Sequence, residues 1–221
     1  MSSTVQRPGE AGTPRWVIGS LVGLTILGMV VCLSGAPDRV FGDEGDLIRP
    51  AQEHARGIFQ HRVKYPSFSL HLYGLSFLAT GVIDDFDACL RQARVINALF
   101  FGLGILLTYA VARRLISARG ALVAALLFAT TPVIMVYAPY VKTEPLLFVE
   151  TLLCMYAVLR VADEPERLRW HALAGLCAGL AMATKISAYP GLMYVAWLLV
   201  DATRRRSVAW RPVALFAVVA I

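Results

Sequence analysis

The sequence predicts an all-α, polytopic transmembrane helical bundle, and three observations lead there. The first is composition: 57% of the 221 residues are hydrophobic and only 16% are charged, against about 25% charged in ordinary soluble domains. The second is arrangement. The apolar residues collect in runs of roughly 17–20, the length an α-helix needs to cross a hydrocarbon core about 30 Å thick. The third is the placing of the arginines, which gather in short segments between those runs, where cations set membrane topology. The net charge of +6 is thus explained by topology, and nucleic acid is not an expected partner.

Taken in order, residues 1–15 form a polar tail rich in Ser, Gly, Pro and Thr, expected to be disordered and cytoplasmic. Residues 16–35 are the first span. The run is too long for a signal-peptide core and Ser34-Gly35-Ala36 is a weak cleavage site, so it reads as a retained helix. The first outer loop, 36–92, is expected to carry two interfacial elements. One starts at Pro50, a residue suited to a first helical turn, with Leu47, Ala51, Ala55 and Ile58 on one side and Arg49, Glu53 and Arg56 on the other. The second, 68–83, is apolar but short and interrupted by His71; it is placed as interfacial or re-entrant. Spans then follow at 93–112, 120–138, 146–162 and 172–188, with a shorter one at 190–202. Residues 208–221 begin another. At about 14 residues, or roughly 21 Å of helix, that last piece falls short of the core. About seven spans are therefore expected, the last truncated, in a transmembrane domain 16–221 that is incomplete at its C-terminal side.

Orientation follows from the cations. Arg113, Arg114 and Arg119 fall in one loop, Arg160, Arg167 and Arg169 in a second, and Arg204, Arg205, Arg206 and Arg211 in a third. If 68–83 does not cross, these loops and the tail share the cytoplasmic side; if it crosses, the loops are split from the tail. The first arrangement is the one expected, in a plasma or inner membrane. It leaves Asp43, Glu44, Lys64, Arg94, Lys142, Glu144 and Lys185 on the extracytoplasmic side.

Those outer charges raise the question of chemistry. "FGDEGDLIRP" (41–50) sets Asp43, Glu44 and Asp46 within four positions; alone, such acids read as solvated loop surface. Arg91 and Arg94 precede the second span, Lys142-Thr143-Glu144-Pro145 ends the third, and Thr184-Lys185 sits within the apolar run of the fifth. A charge at the bilayer centre costs about 2.5–3.5 kcal/mol, less near the ends, so such residues face partners or a cavity. Lys185 can also be read as snorkelling to the headgroups. Together the set offers carboxylates able to take a proton from a hydroxyl beside cations able to stabilise charge on a phosphate. That chemistry suits group transfer from a lipid phosphate to an extracytoplasmic acceptor. It also suits a transporter or flippase of a lipid-linked sugar, while a passive scaffold leaves the charges unexplained. Cys32, Cys89, Cys154 and Cys177, the small pairs Gly175/Gly179 and Ala174/Ala178, and Glu150 read as packing residues. His54, His61 and His71 lack metal-ligand spacing, and neither a metal nor a cofactor is expected.

The order of motifs is recognisable. "DEGD" after one span, then "KYPSFSLHLYGLSFLATG", "RVINALFFGLGILLTYAVARRL", "ALVAALLFATTPVIMVYAPYVKTEPLLF" and "LAGLCAGLAMATKISAYPGL" resemble the polyprenyl-phosphate-dependent glycosyltransferases. These are family-39-like enzymes of the GT-C superfamily, among them protein O-mannosyltransferases and the aminoarabinose transferases of lipid A. The likeness runs from about Trp16 to Val200. It implies an enzyme moving a hexose or pentose, with inversion, from a polyprenyl-phosphate-linked donor to a lipid, glycan or protein hydroxyl. The family's acidic pair falls on Asp43, implied as general base, and Glu44. The family's proline segment falls at Pro66, with Tyr65 in its usually basic position and Lys64 one residue earlier. The acid after the third span is Glu144 here, where Asp is commoner, and the Thr-Lys pair is Thr184 and Lys185. Lys64, Tyr65, Arg94, Glu144 and Lys185 are thereby implied in binding donor phosphate or acceptor.

Overall fold

The structure, a computed structural model, describes residues 12–36, 40–59, 67–164 and 166–185. Within them lie α1 (Arg15–Ser34), α2 (Glu44–Ala55), α3 (Ser67–Thr80), α4 (Phe86–Leu115), α5 (Ala118–Thr130), α6 (Pro132–Tyr137), α7 (Glu144–Asp163) and α8 (Leu168–Thr184). No strand occurs among the described residues. The chain is a helical, multi-pass membrane protein: α1, α4 and α7 are each long and apolar enough to cross a bilayer. The expected spans at 190–202 and 208–221, the arginines at 204–206 and 211, and the site candidates Lys64 and Tyr65 lie outside the described residues.

Length explains how the helices divide their work. At 1.5 Å per residue, the 30 residues of α4 run about 45 Å, well beyond a core of about 30 Å. Asp85 starts the helix by accepting from the Ala88 N–H at 3.0 Å, which satisfies one of its open donors. The first turns of α4 therefore project past the bundle. There Cys89, Leu90 and Ala93 pack with Leu47, Ile48 and Ala51 of α2, Leu70, Tyr73 and Phe77 of α3, and Val141.

Helix α3, with 14 residues, is only about 21 Å long, short of a hydrocarbon core of about 30 Å. It is tied to α4 by Tyr73 on Asn97 and by Gln92 Nε2 on the Ser76 carbonyl at 2.9 Å. It lies so close on α2 that a Cβ at Gly74 would stand 2.5 Å from the Ala51 carbonyl oxygen; only glycine permits that approach.

Two boundaries depart from expectation. Helix α2 begins at Glu44, six residues before Pro50, which sits inside it. Proline there removes an internal hydrogen bond, and burial of Leu47, Ile48 and Ala51 holds the turn regardless. The span expected at 120–138 is broken into α5 and α6. Thr131 is extended, at φ −61° and ψ 123°, because the residue before Pro132 is driven out of the helical region. The hydroxyls of Thr130 and Thr131 bond back to Leu126 and Leu127 carbonyls at 2.8 and 2.7 Å.

The end opposite α2 and α3 carries the arginines. Arg114 pairs with Asp163, tying the end of α4 to the end of α7. Arg160 and Arg167 both meet Glu164, and the Arg119 guanidinium lies 6.0 Å from the centre of the Trp16 ring. The start of α1 thus shares an end with the α4–α5 and α7–α8 connections. Small side chains close α7 onto α8: Cys154, Ala157 and Val158 meet Ala174, Cys177 and Ala178.

Candidate functional site

The site is built where α2, α4, α7 and α8 meet the segment 138–143. Gly42, at φ +50°, takes a conformation that side chains resist and turns the chain into α2, so that Asp43 and Glu44 leave the turn in different directions. Glu44 is fully buried. Its Oε1 accepts from Arg94 Nε at 3.0 Å and from the Val141 N–H at 2.9 Å. Its Oε2 accepts from an Arg94 terminal nitrogen at 2.7 Å and from the Phe41 N–H at 2.8 Å. Burial pushes this carboxyl toward the neutral form, but Arg94 and the two backbone donors win, and it is held below the usual carboxylate range. Four donors leave it saturated. Glu44 is a pin joining α2, α4 and the segment before α7.

Asp43 points elsewhere. Its side chain is 39% exposed, and Oδ2 lies 3.2 Å from Lys142 Nζ. The Lys142 ammonium also stands 5.7 Å from the centre of the Tyr137 ring. The Phe41 and Tyr140 rings stack at 4.3 Å, clamping the turn that carries Asp43 to the segment that carries Lys142.

A third pair completes the arrangement. Lys185, the residue that ends α8, places Nζ 2.6 Å from Oε1 of Glu144, the first residue of α7. Next to Lys185, the Thr184 hydroxyl donates to Glu150 Oε1 at 2.8 Å. Glu150 is buried, and its other oxygen finds no partner among the described residues. Beside Glu144 opens an apolar recess lined by Phe101, Ile134, Tyr137, Pro145 and Phe148.

The structure thus brings Asp43, Glu44, Arg94, Glu144 and Lys185 to one end of the bundle as three acid–cation pairs, with Lys142 as the partner of Asp43. Arg94 is buried against Glu44 and reaches the site through it. Sequence reasoning missed Asn97 and Tyr73. Asn97 is fully buried one turn beyond Arg94, and its Nδ2 donates to the Tyr140 and Lys142 carbonyls at 2.9 and 3.0 Å. The available signal was an asparagine at i+3 from an arginine inside an apolar run.

Comparison with known proteins adds three findings. A family model for dolichyl-phosphate-mannose-protein mannosyltransferase matches residues 73–221; the match starts within α3 and so excludes Asp43 and Glu44. No curated protein matches significantly. Among solved structures, the chain resembles one from the S. cerevisiae protein O-mannosyltransferase Pmt1–Pmt2 complex bound to the sugar donor, with TM-score 0.78 and 18% identity over 95% of this chain and 32% of that chain. At that identity the likeness speaks for the fold, and the chain spans about a third of that structure's length, 32%. A family match over two-thirds of the sequence, joined to a shared membrane fold, places this chain in the dolichyl-phosphate-mannose-protein mannosyltransferase family.

Proposed function

We propose that the protein transfers a sugar, mannose by its family, from a polyprenyl-phosphate donor to an acceptor hydroxyl outside the cytoplasm. Residues 16–221 supply the transmembrane part of this GT-C-type enzyme. The observation that carries the reading is the pairing of Asp43 with Lys142 in a half-open position while neighbouring Glu44 is spent on structure. A base must reach its substrate, and the Asp43 side chain is 39% exposed where Glu44 is fully buried. Asp43 takes the proton of the acceptor hydroxyl as oxygen attacks the anomeric carbon. The bond to the phosphate breaks on the opposite face, giving inversion, and the departing phosphate carries its charge toward Lys185. Glu144 holds Lys185 in position before the donor arrives, and the apolar recess beside Glu144 suits a donor borne on a lipid. Arg94 acts through Glu44. Lys64 and Tyr65 are proposed to contact donor or acceptor from the first outer loop.

The test is transfer of mannose from a polyprenyl-phosphate donor to a Ser/Thr peptide by the intact protein in membranes. A carboxylate general base contributes about 10²–10⁴-fold in rate. Asp43→Asn should lose that factor while keeping expression, insertion and donor binding, and Asp46→Asn should keep most activity. A flippase needs no base, so near-normal movement of the lipid-linked sugar with no transfer by either the native protein or Asp43→Asn would establish the transport reading instead.

A further inference from the structure

We infer that Asn97 is a positioning residue for the transfer reaction: by holding the backbone of 140–142, it fixes Lys142 against Asp43. The inference rests on the reading of Asp43 as base.

The segment between α6 and α7 has little structure of its own. Residues 139–143 are outside any helix, so their backbone groups need other partners. Side chains supply them. The Val141 N–H goes to Glu44 Oε1 at 2.9 Å, and the carbonyls on either side, of Tyr140 and Lys142, both go to Asn97 Nδ2 at 2.9 and 3.0 Å. An asparagine amide has two N–H donors, and each is used on one carbonyl. Its oxygen accepts from the Tyr73 hydroxyl. That third bond fixes which way round the amide sits, because a flipped amide would set its oxygen against two carbonyl oxygens.

Arg94 and Asn97 lie on one face of α4, one turn apart, and act on the same segment. Arg94 acts through Glu44 on the Val141 N–H, and Asn97 acts directly on the flanking carbonyls. The Lys142 main chain is thereby set from α4, and its ammonium reaches Asp43 Oδ2 at 3.2 Å. Tyr73 and Asn97 are both fully buried and have no route to a substrate; their effect must pass through the segment 140–142, which carries Lys142. The other charged groups on the elements meeting at Asp43 are Glu44 and Asp46 on α2, Arg91 and Arg94 on α4, Glu144 on α7 and Lys185 after α8. Lys142 stands against Asp43 at 3.2 Å.

A cation beside a carboxylate favours its ionised form. Displacing Lys142 therefore raises the pH at which the base becomes protonated, and the acid limb of the pH–rate profile moves up. A purely structural loss lowers the whole profile without moving its limb. The experiment is the pH dependence of kcat/KM for the intact protein in membranes, with polyprenyl-phosphate mannose and a Ser/Thr peptide. Lys142→Met should shift the acid limb upward by about 1 pH unit. Asn97→Ser should shift it in the same direction by about half as much, and the double variant should shift it no further than Lys142→Met, since the two act on one interaction. Tyr73→Phe keeps the volume and removes only the bond that orients the amide; it should show a smaller shift of the same sign, and decides the matter if Asn97→Ser does not fold. A limb that moves in Lys142→Met but stays fixed in the Asn97 and Tyr73 variants overturns this inference alone. A limb unmoved by Lys142→Met overturns the reading of Asp43 as base, and the inference with it.

Discussion

Lys185 and Glu144 join the residue that follows one helix to the first residue of another, 41 positions apart in sequence, through a 2.6 Å contact. Both side chains stay about one-third exposed, at 34% and 40%, so the pair is accessible to a ligand. Lys185→Met should weaken binding of a polyprenyl-phosphate mannose donor at least tenfold, whereas Lys142→Met should change it much less. Donor affinity measured on the detergent-solubilised protein checks this. Equal affinity in the Lys185 variant and the native protein would reduce Lys185 to a structural partner of Glu144.

The Glu44–Arg94 pair should behave differently, as a matter of stability. Removing one member of a buried ion pair strands the other charge and costs about 3–5 kcal/mol. Glu44→Gln and Arg94→Met should each lower the melting temperature sharply, and the double variant should recover part of the loss. Thermal unfolding in detergent reads this directly. If the double variant is destabilised by the sum of the two singles, the pair is not coupled as described.

Acidification should destabilise the α2–α3 layer in two stages. His54 is buried, with its ring 5.0 Å from that of His71. Burial and the neighbouring His71 hold it below the ordinary histidine value, opposed by Glu53. Folding thus favours neutral His54: its contribution is intact above about pH 6.5 and lost as pH falls through the lowered folded value. Glu44, also held low, contributes fully above the usual carboxylate range near 4.3 and loses its contribution only below that. His54→Phe should remove the first stage and leave the second. A melting profile unchanged between native and His54→Phe from pH 7 to 5 would contradict this.

Single cysteines at 46 and 117, in a background lacking Cys32, Cys89, Cys154 and Cys177, test the membrane orientation. Both positions are exposed and belong to opposite ends of the bundle. In intact cells an impermeant thiol reagent should label position 46 and spare 117. Equal labelling of the two, or equal protection, contradicts the arrangement.

Periodicity and length made the long helices legible in the sequence, since an apolar run long enough to cross a bilayer admits few other readings. The 68–83 run was read as non-spanning on its length, and α3 is a helix of 14 residues. What hydropathy does not register is a local break. The residue before Pro132 ends α5 through backbone sterics, and Pro50 fails to start α2 because tertiary burial, not proline preference, sets where that helix begins. The clustered charges that the sequence singled out fall together at one end of the described helices. Which acid would be buried and which open was not legible, because it depends on Arg94, 50 residues from Glu44. Asn97 escaped notice because an amide in an apolar run announces nothing about which two carbonyls it will hold.

The pairing of Lys142, Arg94 and Lys185 with Asp43, Glu44 and Glu144 leaves this end of the bundle close to neutral before any ligand arrives. Long-range attraction of anions is correspondingly weak, and on the proposed function the donor phosphate replaces a carboxylate at contact. Binding is then an exchange of counter-ions. Surrounding phospholipids carry the same phosphate chemistry in great excess, yet none gains simply by being anionic. On the proposed function, a donor whose chain also fits the recess beside Glu144 completes the exchange, and neutrality at rest then acts as a filter against the membrane in which the protein sits.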